Sequence, residues 1–230
     1  MSIAKKINIC YTYGMERYDS TKDTKAHIDL VGKDIDIFCE YLANAEVCTK
    51  LTEQSTLVDL ACIDEQTSTK VRGSAWAILG NCYMPSDINI RIPCLINQLQ
   101  MRKAQHDKSK LEEPEKSYFD TLTPKLAGST YGSEEYKGFL KELEVPLAHH
   151  YSVNRHHPEH FSGGINDMDI VDIIEMFCDW HSSTKRHANG CIHTSNEFNQ
   201  KRFGYCDGLK LLFTNTAKDI FKEPIPPEKQ

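Results

Sequence analysis

The stretch DIVDIIEMFCDWHSSTK, residues 169–185, decides the fold. Placed at 100° per residue, Ile170, Val171, Ile173, Ile174, Met176, Phe177, Cys178 and Trp180 cover most of a helix circumference. They leave one stripe, about 60° wide, to Asp172, Glu175 and Asp179. A helix apolar over that much of its surface is buried. Asp167 or Asp169 caps its start, and it runs to about Lys185. Three carboxylates on a buried helix need a metal ion, or His and Lys from neighbouring helices, because an unpaired buried charge is prohibitively costly. The bland alternative is that the stripe faces water, which is weakest for Asp179, beside Trp180 at the deep end.

The same helical period recurs on both sides of this stretch. Residues 23–44 place Ile28, Val31, Ile35, Phe38 and Leu42 at three- and four-residue steps, with Asp23 or Thr24 as the cap and His27 in the first turn. After Lys103 the text is helical again, a new helix opening at Ser109 or Lys110 around Pro114. Residues 127–137 read as a Gly/Ser-containing connection. A helix over 139–150 is interrupted or started at Pro146, and 155–167 is a loop held out of regular structure by Pro158, Gly163 and Gly164. Two further helices are predicted over 195–202 and 207–221, the second with Leu209, Leu212, Phe213, Thr216, Ala217 and Ile220 on one face. Residues 222–230 read as a frayed tail. Period-2 strand patterns are almost absent, so the expected fold is all-α.

Composition narrows the function classes. The chain has 230 residues, enough for one domain to bury a core without disulfide or metal staples. A formal charge of −6 argues against a general nucleic-acid coat, since phosphate-binding surfaces are usually basic. Small anionic substrates stay open if a metal handles their charge. No secretory signal and no run of eighteen apolar residues is visible, which predicts a soluble, cytoplasmic protein with no membrane contact. The nine Cys form no CxxC pair and read as reduced, mostly buried thiols.

Histidine is the informative residue. One His-Asp dipeptide, His106-Asp107, means nothing alone, because about 0.7 are expected by chance from the composition. The window 149–160 is different: it holds His149, His150, His156, His157 and His160 where roughly 0.5 His is expected. The competing readings are a solvated or hydrogen-bonded His-rich loop and metal ligation, the latter favoured because neutral imidazole is the commonest metal ligand.

In chain order the pieces are His27, His106-Asp107, the His cluster and Asp179. That H…HD…H…D order on an all-α background resembles the HD superfamily of metal-dependent phosphohydrolases. HDKSK is similar to the HD-x-x-K form of the motif, and HHPEHFSGGI to the glycine-rich His-His loop of the binuclear branch. Closer still, TKAHIDLV, HDKSKLEEPE, TPKLAGSTYGSEEYKGFL, HHYSVNRHHPEHF and DIIEMFCDW resemble an uncharacterised HD-like family of phages and bacteria, over roughly 22–45 and 104–221.

The resemblance implies an HD-like helical bundle in which His27, His106, Asp107 and Asp179 hold one divalent ion and, in the binuclear variant, His150, His156 or His157 add a second. Mn²⁺, Fe²⁺, Co²⁺, Zn²⁺ or Mg²⁺ suit such donors. The implied activity is hydrolysis of a nucleotide or other small phosphoester by metal-activated hydroxide. Asp107 would also orient the water, Lys110 and Arg155 would stabilise phosphate charge, and a protonated His of the cluster, His157 above all, would serve the leaving oxygen. Lys110 has a bland alternative, pairing with Glu113 or Glu115 on a helix surface. Asn154 either caps its own loop or holds a metal water or phosphate. Two other functions compete: a metal-dependent nuclease, suggested by HHYSVNRHH, and a non-catalytic domain that binds a structural metal or nothing.

Residues 46–103 interrupt this picture. They contain four of the nine Cys, Trp76 and no His, with only a predicted helix over 57–63, a turn at 84–87 and a short amphipathic run over 95–101. Seventy-eight residues separate His27 from His106, though both must come from adjacent helices; removing this segment leaves about the length one helix and a turn require. The expectation is a single HD-like domain over 1–230 carrying an insertion, or a translated intron, at 46–103.

Overall fold

In the computed structural model, residues 18–44, 88–128, 134–186 and 190–227 are described, and all regular structure among them is helical. The order is α1 (Thr21–Ala43), α2 (Ile88–Gln105), a 3-10 turn (Lys108–Leu111), α3 (Glu115–Gly128) and α4 (Glu134–Val153), then two 3-10 turns (Pro158–His160, Gly164–Asp167), α5 (Ile170–Thr184), α6 (Ile192–Phe203) and α7 (Asp207–Asp219). The all-α expectation is met.

The helix read first, α5, is the central one. Its capping box forms as predicted at Asp169, whose side chain accepts from the Asp172 amide at 2.9 Å while Asp172 accepts from the Asp169 amide at 3.1 Å. One face of α5 (Val171, Ile174, Cys178) packs on Val31 and Ile35 of α1 and Leu99 of α2. The opposite face (Met176, Phe177) packs on Ile192, Tyr205, Phe213 and Ala217 of the C-terminal helices. Apolar burial on two sides is what a helix hydrophobic over most of its circumference requires.

Several boundaries differ from the sequence reading, each for a tertiary reason. Helix α1 begins at Thr21, not Asp23, because Ser20 turns its amide and hydroxyl to Asp120 of α3 (2.8 and 2.7 Å) and fixes the chain's entry there. Pro146 neither starts nor interrupts α4; it removes one backbone hydrogen bond from a helix whose flanks, at Leu143 and His150, are buried. Helix α6 starts at Ile192, which is buried, and α7 stops at Asp219, leaving Ile220 beyond it. Leu212 does not share the buried face of Phe213 and Ala217; it is 41% exposed. The tail does not fray at 222: the Glu223 amide donates to Ala217 O at 3.0 Å and its carboxylate takes His181 at 3.0 Å.

The run expected at 95–101 is the middle of α2, which lies against α1 closely enough that Lys103 Cε would sit 3.1 Å from a Cβ at Gly32. Leu99 is fully buried among Val31, Ile35 and Ile174, so the last part of the segment read as an insertion packs on the core through α2. The remaining features predicted there, the helix at 57–63 and the turn at 84–87, lie outside the described residues, as do 129–133 of the predicted connection. Of the five described cysteines, only Cys39 and Cys178 are buried. No helix among the described residues is long and apolar enough to cross a membrane.

Candidate metal centre

The centre is built where α2 ends. The His106 amide closes its last turn on Arg102 O at 2.8 Å, and Asp107 then takes a left-handed backbone (φ 54°, ψ 15°) that swings the chain into the Lys108–Leu111 turn. Glycine is the usual residue at such a helix end, and Asp tolerates it better than most. Glycine carries no side chain, whereas Asp107 sends a fully buried carboxylate into the junction of α1, α2, α4 and α5.

Five helical and loop segments converge on that carboxylate. Asp107 Oδ2 is 3.5 Å from His27 Nε2 and 3.8 Å from His106 Nε2; Asp179 Oδ1 completes this set at 2.8 Å from His27 and 4.0 Å from His106. Asp107 Oδ1 faces a second set, 3.3 Å from His150 Nε2 and 3.5 Å from His156 Nε2, with His157 Nε2 2.9 Å from His150 Nε2. The ligand atoms of His27, His106 and Asp107 lie within 4.8 Å of one another, as do those of Asp107, His150, His156 and His157. All seven residues expected as ligands therefore meet in one place.

Behind the imidazoles stand two carboxylates. Glu175 Oε1 lies 2.9 Å from His106 Nδ1 and 3.3 Å from His156 Nδ1, and Glu115 Oε2 lies 2.9 Å from His150 Nδ1. An ionised carboxylate can only accept, so these three Nδ1 atoms carry protons, and in a neutral ring Nε2 then presents a lone pair inward. Inward they meet the oxygens of Asp107 and Asp179, which are acceptors too. His106 Nε2, His156 Nε2 and Asp107 Oδ1 accordingly have no hydrogen-bond partner although fully buried. These groups could hold a metal ion, whose charge would satisfy the facing acceptors, and nitrogen and oxygen donors suit a divalent one. Glu175 could itself join His106 and His156 around an ion, but Arg102 Nη1, 3.2 Å from Glu175 Oε2, already supplies positive charge there.

Burial works against the charged form of Glu175, yet hydrogen bonds from His106 and His156 outweigh it and hold the carboxyl down at about 2. Asp107 and Asp179 are also held low: burial raises them, but Lys110 and His106 around the first and His27 and His156 around the second prevail. Burial lowers His106 and the surrounding Asp107 and Glu175 more than reverse it, so its net shift is upward. His157 is pushed down to about 2 by burial and by its neighbour His156, which makes it a neutral lone-pair donor at neutral pH. That suits a ligand and corrects the expectation of a protonated His157 serving a leaving group.

Other expected residues separate into those at the centre and those engaged elsewhere. Lys110 does not pair with Glu113 or Glu115; its Nζ reaches Asp107 Oδ2 at 2.6 Å from the Lys108–Leu111 turn, and its side chain is 24% exposed. Arg155 is engaged away from the centre, gripping Asp172 with Nε and Nη2 at 3.1 and 2.7 Å and lying over Phe161. Asn154 ties the end of α4 to the Lys108–Leu111 turn, donating to Ser109 Oγ at 2.8 Å and His150 O at 2.9 Å. His149 meets Glu115 Oε1 at 2.7 Å, and His160 donates to Tyr151 O at 2.9 Å, so three of the five clustered histidines face the centre. Sequence reasoning misses Glu115 as a partner of histidine; its only signal is an acidic run shortly after His106-Asp107. A cavity of about 560 Å³ lies against the outer side of this layer, lined by Arg102, Lys108, Asn154, Arg155, His156 and Glu175 among others.

A family model described as a family of unknown function (DUF5662) matches residues 16–225. The chain belongs to that family. The match spans every residue of the centre, from His27 to Asp179, so the site lies within the family's domain. Neither the curated proteins nor the solved structures compared with the chain include a match.

Proposed function

We propose that the protein is a metal-dependent phosphohydrolase of the HD type, acting on a nucleotide or another small phosphoester. The observation that carries this reading is the two-sided placement of Asp107, with Oδ2 toward His27 and His106 and Oδ1 toward His150 and His156. One carboxylate between two imidazole sets is a bridge for an ion pair, and the H…HD…H…D order supports the same assignment.

Ions held there would supply Lewis-acid polarisation of a phosphoryl oxygen and a nucleophile at neutral pH. The chain's own residues provide the rest. Asp107 and Asp179 keep their negative charge where the imidazoles can balance only part of it, which retains divalent ions. Glu115 and Glu175 fix the tautomers that leave Nε2 free to bind. Lys110 uses one N–H on Asp107 and, being partly exposed, keeps others for a phosphate oxygen on the solvent side. A chain of net charge −6 needs such local positive charge to accept an anionic substrate.

A panel of nucleotides and phosphomonoesters, assayed with Mn²⁺, tests the reading. Release of phosphate or pyrophosphate from at least one member is expected, and none from His106→Ala or Asp107→Ala. Turnover surviving in both variants overturns the assignment, and a wholly negative panel overturns the substrate class.

A further inference from the structure

We infer that Glu175 is a positioning residue shared by the two ion positions, so that occupancy of one depends on occupancy of the other. The inference rests on the metal reading above and concerns a residue outside both ligand sets.

A single oxygen, Oε1, accepts from His106 Nδ1 at 2.9 Å and lies 3.3 Å from His156 Nδ1. His106 belongs to the set around Asp107 Oδ2 and His156 to the set around Asp107 Oδ1. The two rings stand 4.3 Å apart, centroid to centroid. An ion that draws one imidazole inward moves the oxygen on which the other hangs. Glu115 has no such reach: of the ligands it touches only His150, in the second set.

The position of Glu175 is itself fixed from behind. Its Oε2 takes Arg102 Nη1 at 3.2 Å, and the same guanidinium contacts Asp172. Asp172 is saturated by Arg155 and by the Asp169 amide at the start of α5. The carboxylate therefore has no alternative seat. It must also be a carboxylate and not an amide. In Glu175→Gln, an amide oxygen turned toward Arg102 leaves the NH₂ facing two Nδ1–H groups, and the reverse orientation sets NH₂ against the guanidinium. Either the two imidazoles switch tautomer, which puts protons on the Nε2 atoms meant for the ions, or Arg102 Nη1 loses its acceptor.

The test compares Glu175→Gln with Glu115→Gln by Mn²⁺ titration of the metal-free protein, with electron paramagnetic resonance to read the spin-coupled ion pair. Glu175→Gln is expected to weaken both binding events, by about 10- to 100-fold each, and to abolish the coupled signal. Glu115→Gln is expected to weaken only one. Glu175→Gln with both affinities intact, or with only one reduced, overturns the inference. Should Glu175→Gln fail to fold, histidine-ring ¹⁵N spectra of the unmutated protein decide: His106 and His156 are both expected as Nδ1–H tautomers, and an Nε2–H tautomer in either is fatal to the idea. Unmutated protein that takes up no Mn²⁺ overturns the metal reading together with the inference. Two bound ions with no phosphoester turnover defeat only the hydrolase assignment, and the comparison of Glu175→Gln with Glu115→Gln then still decides whether the two ion positions are coupled.

Discussion

Asp107 and Asp34 are both fully buried carboxylates packed among α1, α2 and α5, and their surroundings differ completely. Asp34 sits two turns beyond His27 on α1 and is met by donors only: Ser182 Oγ at 2.5 Å, Lys185 Nζ at 2.7 Å and His181 Nδ1 at 2.9 Å. His181 in turn stacks on Phe221 and takes Glu223 at 3.0 Å, which ties the chain's end to α5. Around Asp107 only Lys110 donates, to Oδ2, while Oδ1 has no partner and faces imidazole lone pairs. The Asp34 cluster is closed by the chain itself and holds helices together. The Asp107 cluster leaves Asp107 Oδ1, His106 Nε2 and His156 Nε2 without a partner and could hold a metal ion.

The largest effect should come from Asp34→Ala. It strands a buried His181 and Ser182 and is expected to destabilise the protein by roughly 3–5 kcal/mol, with metal uptake retained. Asp107→Ala should cost the metal-free protein no more than about half of that, because Lys110 can rehydrate and acceptor crowding is relieved, while metal uptake is lost. Urea unfolding of the metal-free variants measures both; the reverse ranking breaks the comparison.

Acid should produce a smaller and graded loss in the metal-free protein. Glu175 is depressed from its ordinary 4.5 to about 2, so its stabilisation is complete above 4.5 and disappears as pH falls toward 2. His157 is depressed from 6.5 to about 2, so the unfolded chain takes up that proton first and stability falls from about pH 6.5 downward. His106 and His150 are raised and act oppositely, their contribution present below pH 6.5 and lost as pH rises through their folded values. The urea midpoint is therefore expected to decline most steeply between pH 4.5 and 2, where the depressed groups act together. Glu175→Gln should flatten that portion, and an unchanged slope would show that Glu175 is not held as described.

The ligands are legible in the sequence because their chemistry is concentrated. Five histidines in a twelve-residue window and a carboxylate stripe on a helix otherwise apolar are visible without coordinates. Period alone also discloses α1, α5 and α7. The particular partners stay hidden because contacts across helices leave no local pattern: the stripe says that Glu175 needs partners but not that they are His106 and His156, and nothing near Glu115 points to His150. Arg155 reads as a phosphate contact, but its match to Asp172 depends on how the 155–167 loop returns to α5. Asp34 goes unremarked in the sequence and is fully buried in the fold, where α5 and the residue after it bring three donors to it. Helix α2 is hard to read for a related reason: its apolar pattern is weak, and its packing through Leu99 emerges only in the fold.

Counting the ions bound by the metal-free protein tests the central claim most directly. Mn²⁺ titration followed by elemental analysis should give two ions per chain for the unmutated protein and for a folded Glu223→Gln control on the Asp34 side, and none for Asp107→Ala. Uptake below about a tenth of an equivalent by the unmutated protein, or undiminished uptake by Asp107→Ala, would contradict the account.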